Sequence, residues 1–250
     1  MSYTKMAFVY DVLMEDAPYE KWEQFADAMF KKFGNNITSV ADLGCGTGQV
    51  TRRLAKTGYQ VLGVDYSEDM LAYAQQAAAE ENLLIQWFHQ DLRELNGFKN
   101  LDAVVSFCDV INYITDLNEL EVVFKNVNHM LNSDGLFLFD VHSMDHIENN
   151  LKEQTFAEIY DDLSYVWLCQ AGESLGEVYH DLTFFVLDEE QYERFDETHH
   201  QRTYPINTYR ELLKKSGFIM KGLYADFSTK ETSYSSDDQR LFFVCQKNSR

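Results

Sequence analysis

Proline is nearly absent. Only Pro18 and Pro205 occur in 250 residues, and no stretch is rich in Pro, Gly or Ser, which excludes a long flexible linker. Cysteine is scarce as well: Cys45, Cys108, Cys169 and Cys245 never form C-x-x-C and mostly lie inside apolar strand-like runs, so they read as reduced thiols. Long apolar runs are missing, none approaching the roughly 18 residues a membrane span needs. The opening MSYTKMAFVYDVLMEDAPYEKW sets Asp11, Glu15 and Asp16 where a signal peptide needs an unbroken apolar segment, so a cytoplasmic location with no membrane association is expected. Positive charge is in deficit, 21 Lys and Arg against 41 Asp and Glu, for a formal net charge of −20. Such a chain repels a phosphate backbone at long range, which argues against nucleic acid as partner; the acidity otherwise serves solubility.

What is present is enough for a core: 45% of residues are hydrophobic and 14% aromatic. From Val40 onward, short apolar runs alternate with amphipathic stretches, the pattern of βαβ units and a parallel sheet. The expected strands are 40–44, 59–66, 83–92, 102–110 and 135–141, each nearly continuous in apolar character, as strands covered on both faces are. Ser67, with Glu68 and Asp69 behind it, reads as the N-cap of a helix whose apolar face carries Met70, Leu71 and Ala74. Residues 116–131 repeat Leu117, Leu120, Phe124, Val127 and Leu131 at helical spacing, and 19–33 place Trp22, Phe25, Met29 and Phe33 on one side of another helix closed by Gly34. After Val141 the pattern changes to alternation, so 155–204 read as an antiparallel meander. Asn207 is then expected to cap a helix ending at Gly217, before two closing strands, 218–227 and 241–247. The organisation expected is an N-terminal helical segment (1–35) over the site, a sheet domain (36–141 and 205–250) and a β-rich insertion (142–204) acting as lid or dimer face, which leaves a homodimer open.

The chemistry concentrates at Asp42-Leu43-Gly44-Cys45-Gly46-Thr47-Gly48, a G-x-G-x-G turn between the first strand and its helix. Glycines are needed where a turn is tight and the backbone must approach a ligand, while the amides of the following helix N-terminus face that ligand. Asp65 ends the next strand, about 20 residues on, where a carboxylate can accept hydrogen bonds from both ribose hydroxyls. A nicotinamide or flavin dinucleotide site would show G-x-G-x-x-G, but its third glycine would fall at Gln49. Asp42 would also repel a pyrophosphate, by about 1 kcal/mol even in water at 4 Å, whereas a sulfonium and an α-ammonium would be attracted to it.

These residues resemble the class I S-adenosylmethionine-dependent methyltransferases, and in layout the small bacterial methyltransferase-domain proteins with an N-terminal helix and a β-rich insertion. The specific motifs span about residues 36–141. The resemblance implies a Rossmann-like α/β fold, a seven-stranded, mostly parallel sheet with helices on both faces and the last strand, 241–247, antiparallel. It implies S-adenosyl-L-methionine as cofactor, wrapped at its methionine part by Gly44, Cys45, Gly46 and Gly48 with Asp42 alongside, and held at the ribose by Asp65. Tyr66 and Met70 would pack on the adenine, Asp91 and Leu92 would meet its edge, and Cys108 and Asp109 would lie beneath the methionine and methyl. Plainer readings stand beside these: Asp91 as the cap of a turn, Met70 as a core residue, Cys108 as a small buried one.

Methyl transfer from a sulfonium is a direct displacement, so the residues need only align the reactants and exclude water, which supplies about 7–11 kcal/mol of the barrier. No nucleophilic residue is demanded, and a base is needed only for an acceptor that arrives protonated. Tyr10, Trp22, Asn112, Tyr113 and His142 are candidates for gating or acceptor contact, each with a packing role as the alternative. His142 with His146, and His199 with His200, lack the converging third ligand of a zinc site, so no metal is expected. The acceptor expected is a small molecule enclosed by the aromatic insertion (Tyr160, Tyr165, Trp167, Tyr179, Phe184, Phe185), with a protein side chain as the alternative. A non-catalytic S-adenosylmethionine-binding or partner protein, and a dinucleotide oxidoreductase, are the rival functions.

Overall fold

A computed structural model describes residues 9, 14, 17–231, 235 and 237–249. Its strands are Ser39–Leu43 (β1), Gln60–Asp65 (β2), Gln86–His89 (β3), Leu101–Ser106 (β4), Leu131–His142 (β5), Thr155–Ile159 (β6), Leu163–Ala171 (β7), Glu177–Asp188 (β8), Gln191–Arg202 (β9), Phe218–Ala225 (β10) and Arg240–Lys247 (β11). Its helices are Tyr19–Phe33 (α1), Gln49–Lys56 (α2), Glu68–Glu80 (α3), Leu117–Met130 (α4) and Ile206–Lys215 (α5). Seven strands form one sheet in the order β10-β11-β5-β4-β1-β2-β3, and β6-β7-β8-β9 form a second, antiparallel sheet. Within the large sheet β1 to β5 pair in parallel, while β11 runs antiparallel to both β5 and β10, as the family resemblance implies for the last strand.

The continuous apolar strands are explained by cover on both faces. Phe137, Phe139 and Phe243 point to the side of α4 and α5, where the Phe139 and Phe243 rings stack 4.8 Å apart. Their neighbours Leu136, Leu138, Phe242 and Val244 point to the other side and meet Trp22, Phe25 and Phe30 of α1. Each such side chain removed from water contributes roughly 1.5–3 kcal/mol. Helix starts follow local chemistry: the Ser67 hydroxyl accepts from the Met70 N–H, and the Asp116 carboxylate accepts from the Asn118 and Glu119 amides. No helix among the described residues is long and apolar enough to cross a membrane.

Several boundaries differ from the sequence expectation, among them the start of the fifth strand, at Leu131 rather than 135. The third strand is confined to Gln86–His89, and the fourth stops at Ser106 because the amides of Cys108 and Asp109 turn aside to a carboxylate. The helix expected to begin at Asn207 begins at Ile206, with Pro205 in the cap position. The Pro205 carbonyl accepts from the Thr208 and Tyr209 amides, while the Asn207 side chain accepts from Arg210 inside the helix. Proline suits this place because it has no N–H to leave unpaired.

Candidate active site at the strand ends

Parallel order puts the C-terminal ends of β2, β1, β4 and β5 side by side, so the turns that follow them share one rim. After β1, Gly44, Gly46 and Gly48 all take positive φ, +71°, +53° and +77°. A Cβ on Gly44 would come within 2.4 Å of Val110, and one on Gly48 within 2.7 Å of Trp87, so these two glycines allow close packing. Gly46 differs: nothing lies within 4 Å of where its Cβ would be, so its backbone faces open space. That open cradle is flanked by two carboxylates. Asp42 is buried and accepts the Thr51 hydroxyl at 2.6 Å, and burial pushes its carboxyl up to about 7. Asp65 accepts the Gly46 amide at 2.7 Å and the Ser67 amide at 2.9 Å, fixing the glycine turn to the end of β2. A carboxylate has about four acceptor positions, so Asp65 keeps capacity for ribose hydroxyls. Beside it the Tyr66 ring is 71% exposed, a free apolar face. An open glycine turn bordered by acids and an exposed ring fits a cationic sulfonium nucleoside.

After β4 the chain makes an unusual turn. Cys108 and Asp109 both take left-handed backbone, φ +59° and +53°, a conformation unfavourable by roughly 1–2 kcal/mol for each non-glycine residue. The buried carboxylate of Asp140, on β5, holds it by accepting the Cys108 amide at 2.9 Å and the Asp109 amide at 3.2 Å. Asp140 also accepts the Trp22 indole N–H at 3.1 Å and a short bond from Arg240. The other arm of the Arg240 guanidinium donates to Asp109 at 3.0 Å, and its plane lies over the Trp22 ring. Burial works against the charge on Asp109, but His142 and Arg240 beside it hold its carboxyl well below the usual carboxylate range.

A chain of donors reaches Asp109 from the second sheet. The Trp167 indole donates to His180 Nδ1 at 3.0 Å, which leaves the proton of that ring on Nε2 to face Gln201 Oε1 at 3.2 Å. Gln201 in turn donates to Asp109 at 2.7 Å. Burial lowers His180 to about 4, in keeping with a neutral ring. The inner face of β8 and β9 is thereby tied over the ends of β4 and β5. Tyr113 and His199 flank this contact, 3.4 Å apart.

The predicted residues fall in different places. Asp42, Gly44, Gly46, Gly48, Asp65 and Tyr66 gather around the cradle. Cys45 turns its sulfur toward the sheet at Gly63, so only its main chain is on offer. Met70 is half-buried on α3. Leu92 packs into the core, and Asp91 caps the short turn Leu92–Glu94 while pairing with the Arg93 guanidinium at 2.6 Å. Trp22 is buried at the border of the site. Asn112 is also buried and works within the fold, its amide donating to the Arg202 carbonyl and accepting from the His142 amide. Tyr10 lies outside the described residues. Asp140, Gln201 and Arg240 were not singled out from the sequence. The signal for Asp140 was an acid in the middle of an otherwise apolar strand, GLFLFDV. Among the described residues no three His, Cys, Asp or Glu side chains converge as metal ligands.

Comparison with known proteins agrees with this geometry. Residues 40–135 match a family model described as a methyltransferase domain. The chain is 42% identical over 249 residues to "Putative methyltransferase YqeM" of Bacillus subtilis (strain 168), covering 99% of this chain and 98% of that protein. A solved S-adenosylmethionine-dependent methyltransferase from Clostridium acetobutylicum ATCC 824 superposes with a TM-score of 0.89 at 28% identity over 99% of both chains. The sugar N-methyltransferase KedS8 from Streptoalloteichus sp ATCC 53650 shares the fold, with a TM-score of 0.78 at 17% identity over 96% of this chain and 93% of its own.

Proposed function

Since the chain belongs to the S-adenosylmethionine-dependent methyltransferases, we propose that it methylates a small molecule held between the ends of β4 and β5 and the inner face of the second sheet. S-adenosylmethionine supplies an activated methyl group when bound. In this reading the cofactor is held by the main chain at Gly44, Cys45, Gly46 and Gly48, by Asp42 and Asp65, and by Tyr66 and Met70 at the adenine. Asp91 and Leu92 border the adenine edge, and Cys108 and Asp109 border the methionine end.

The observation that supports the small-molecule reading is the Gln201–Asp109 hydrogen bond, which ties β9 over the strand ends, so that the second sheet stands between those ends and any folded surface. The large negative charge supports an acceptor that is not a polyanion. A sugar-methylating enzyme on the same fold is consistent with it. The test is to incubate the protein with S-adenosylmethionine tritiated in the methyl group and a cell extract, then separate small molecules from protein and RNA. Label should accumulate in the small-molecule fraction. Label confined to protein would replace this reading with a side-chain acceptor.

A further inference from the structure

The cofactor cradle lies over β1 and β2, so an acceptor approaching the methyl group does so from the side of β4 and β5. His142, the last residue of β5, stands there with unusual support. Its amide donates to Asn112 Oδ1 at 2.9 Å and its carbonyl accepts the Thr203 hydroxyl at 2.7 Å, so the backbone is held from both sides. Its Nε2 faces Asp109 Oδ1 at 3.5 Å, and Asp109 is itself fixed by Arg240 and Gln201. Of the nearby histidines, His180 has both nitrogens bonded, while His199 and His146 meet Tyr113 and Asn150 through Nδ1; among the described residues no carboxylate lies within 4 Å of the nitrogens of these three rings. Among the described residues nothing is bonded to Nδ1 of His142, whose side chain is 14% exposed. A base whose second nitrogen is oriented by a carboxylate is the arrangement that acid–base catalysis requires.

We propose that His142 is the general base of the reaction and that Asp109 is the residue that positions it. Asp109 fixes the proton of the ring on Nε2 and leaves the lone pair of Nδ1 toward the acceptor. The acceptor heteroatom then forms its bond to the methyl carbon, the carbon–sulfur bond breaks with its electron pair going to sulfur, and the proton of the heteroatom passes to Nδ1. The imidazolium is stabilised by the Asp109 carboxylate and afterwards loses its proton to water. The proposal rests on the methyl-transfer reading and requires an acceptor that arrives carrying a proton, a hydroxyl or an amine. The charged and titratable groups facing His142 are Asp109, Arg240, Asp140, His146 and His180, and of the two carboxylates only Asp109 lies within 4 Å of Nε2.

The ring can be read without knowing the acceptor. In protein labelled with nitrogen-15, long-range proton–nitrogen correlations, assigned by comparison with His142→Gln, should show neutral His142 protonated on Nε2. Asp109→Asn should weaken that preference. A neutral ring protonated on Nδ1 overturns the proposal whatever the acceptor is. In the tritium assay, His142→Gln should transfer label about 10²–10⁴-fold more slowly and should lose one ionisation from the pH profile of the rate. Its affinity for S-adenosylmethionine by calorimetry should stay within about threefold of the parent, which shows the fold intact. Transfer at the parent rate with the same pH profile overturns the proposal. If label from the parent chain enters protein, only the small-molecule reading fails, and the same comparison is made on that fraction.

Discussion

Asp42 is a carboxylate whose charge is governed by its burial. Burial raises its carboxyl to about 7, against the hydrogen bond from Thr51, and the charge of Asp65 pushes the same way. The folded value lies above that of an exposed aspartate, so this group favours the fold in acid, and its contribution fades as pH rises from about 4 to about 7. A cationic ligand has the opposite preference because it binds the ionised form. Affinity for S-adenosylmethionine should therefore rise by up to about tenfold per unit between about pH 5.5 and 7 and then level off. In Asp42→Asn the affinity should be weaker and flat over that window. Calorimetry on both proteins across the range checks this, and a flat profile in the parent chain would remove Asp42 from the cofactor's surroundings. The acid was legible in the sequence because it sits two positions before Gly44, and Asp65 was legible because it ends the next strand. Asp140 and Arg240 were not, because they meet across 100 positions of chain and neither stands in a local motif.

At the scale of elements, alternation in 155–204 disclosed an antiparallel meander, which the structure shows to be four-stranded with one face turned to the strand ends. It could not disclose what that face meets. The answer is Asp109, reached through Gln201, a contact that stands beside Asn112–Arg202 and Tyr113–His199 in the polar connection between β9 and the strand ends. Gln201→Leu keeps side-chain volume but removes a donor to an ionised carboxylate and leaves the His180 Nε2–H without its acceptor. The expected loss is about 1.5–3 kcal/mol in urea-induced unfolding, with faster hydrogen exchange at the amides of β8 and β9. Unchanged exchange there would mean that the remaining contacts of the second sheet hold it without Gln201. The expected fourth strand failed at its end for a related reason. SFCDV is apolar enough to continue, yet Asp140 draws the next two amides into a left-handed turn, and only the folded chain brings that carboxylate within reach.

For the whole molecule the dominant quantity is the net charge of −20. Surface ion pairs such as Lys31–Asp27 and Lys125–Glu121 offset little of it, and 41 acids cannot all find partners among 21 bases. The folded chain therefore carries uncompensated repulsion that salt screens, the Debye length falling from about 30 Å at 0.01 M to about 8 Å at 0.15 M. The Asp109–Arg240–Asp140 cluster does not share this sensitivity, because its charges lie in direct contact and largely out of solvent. The two contributions can be separated by one measurement. Raising sodium chloride from about 0.01 M to about 0.15 M should raise Tm by a few degrees in the parent chain, since relieving about 1 kcal/mol of repulsion moves Tm by roughly 2–4 °C at this size. Arg240→Met should lower Tm at both concentrations and leave the salt increment nearly unchanged. A parent Tm that falls with salt would show that attractive pairs outweigh the excess of acid, and the argument from net charge against a polyanionic acceptor would fall with it.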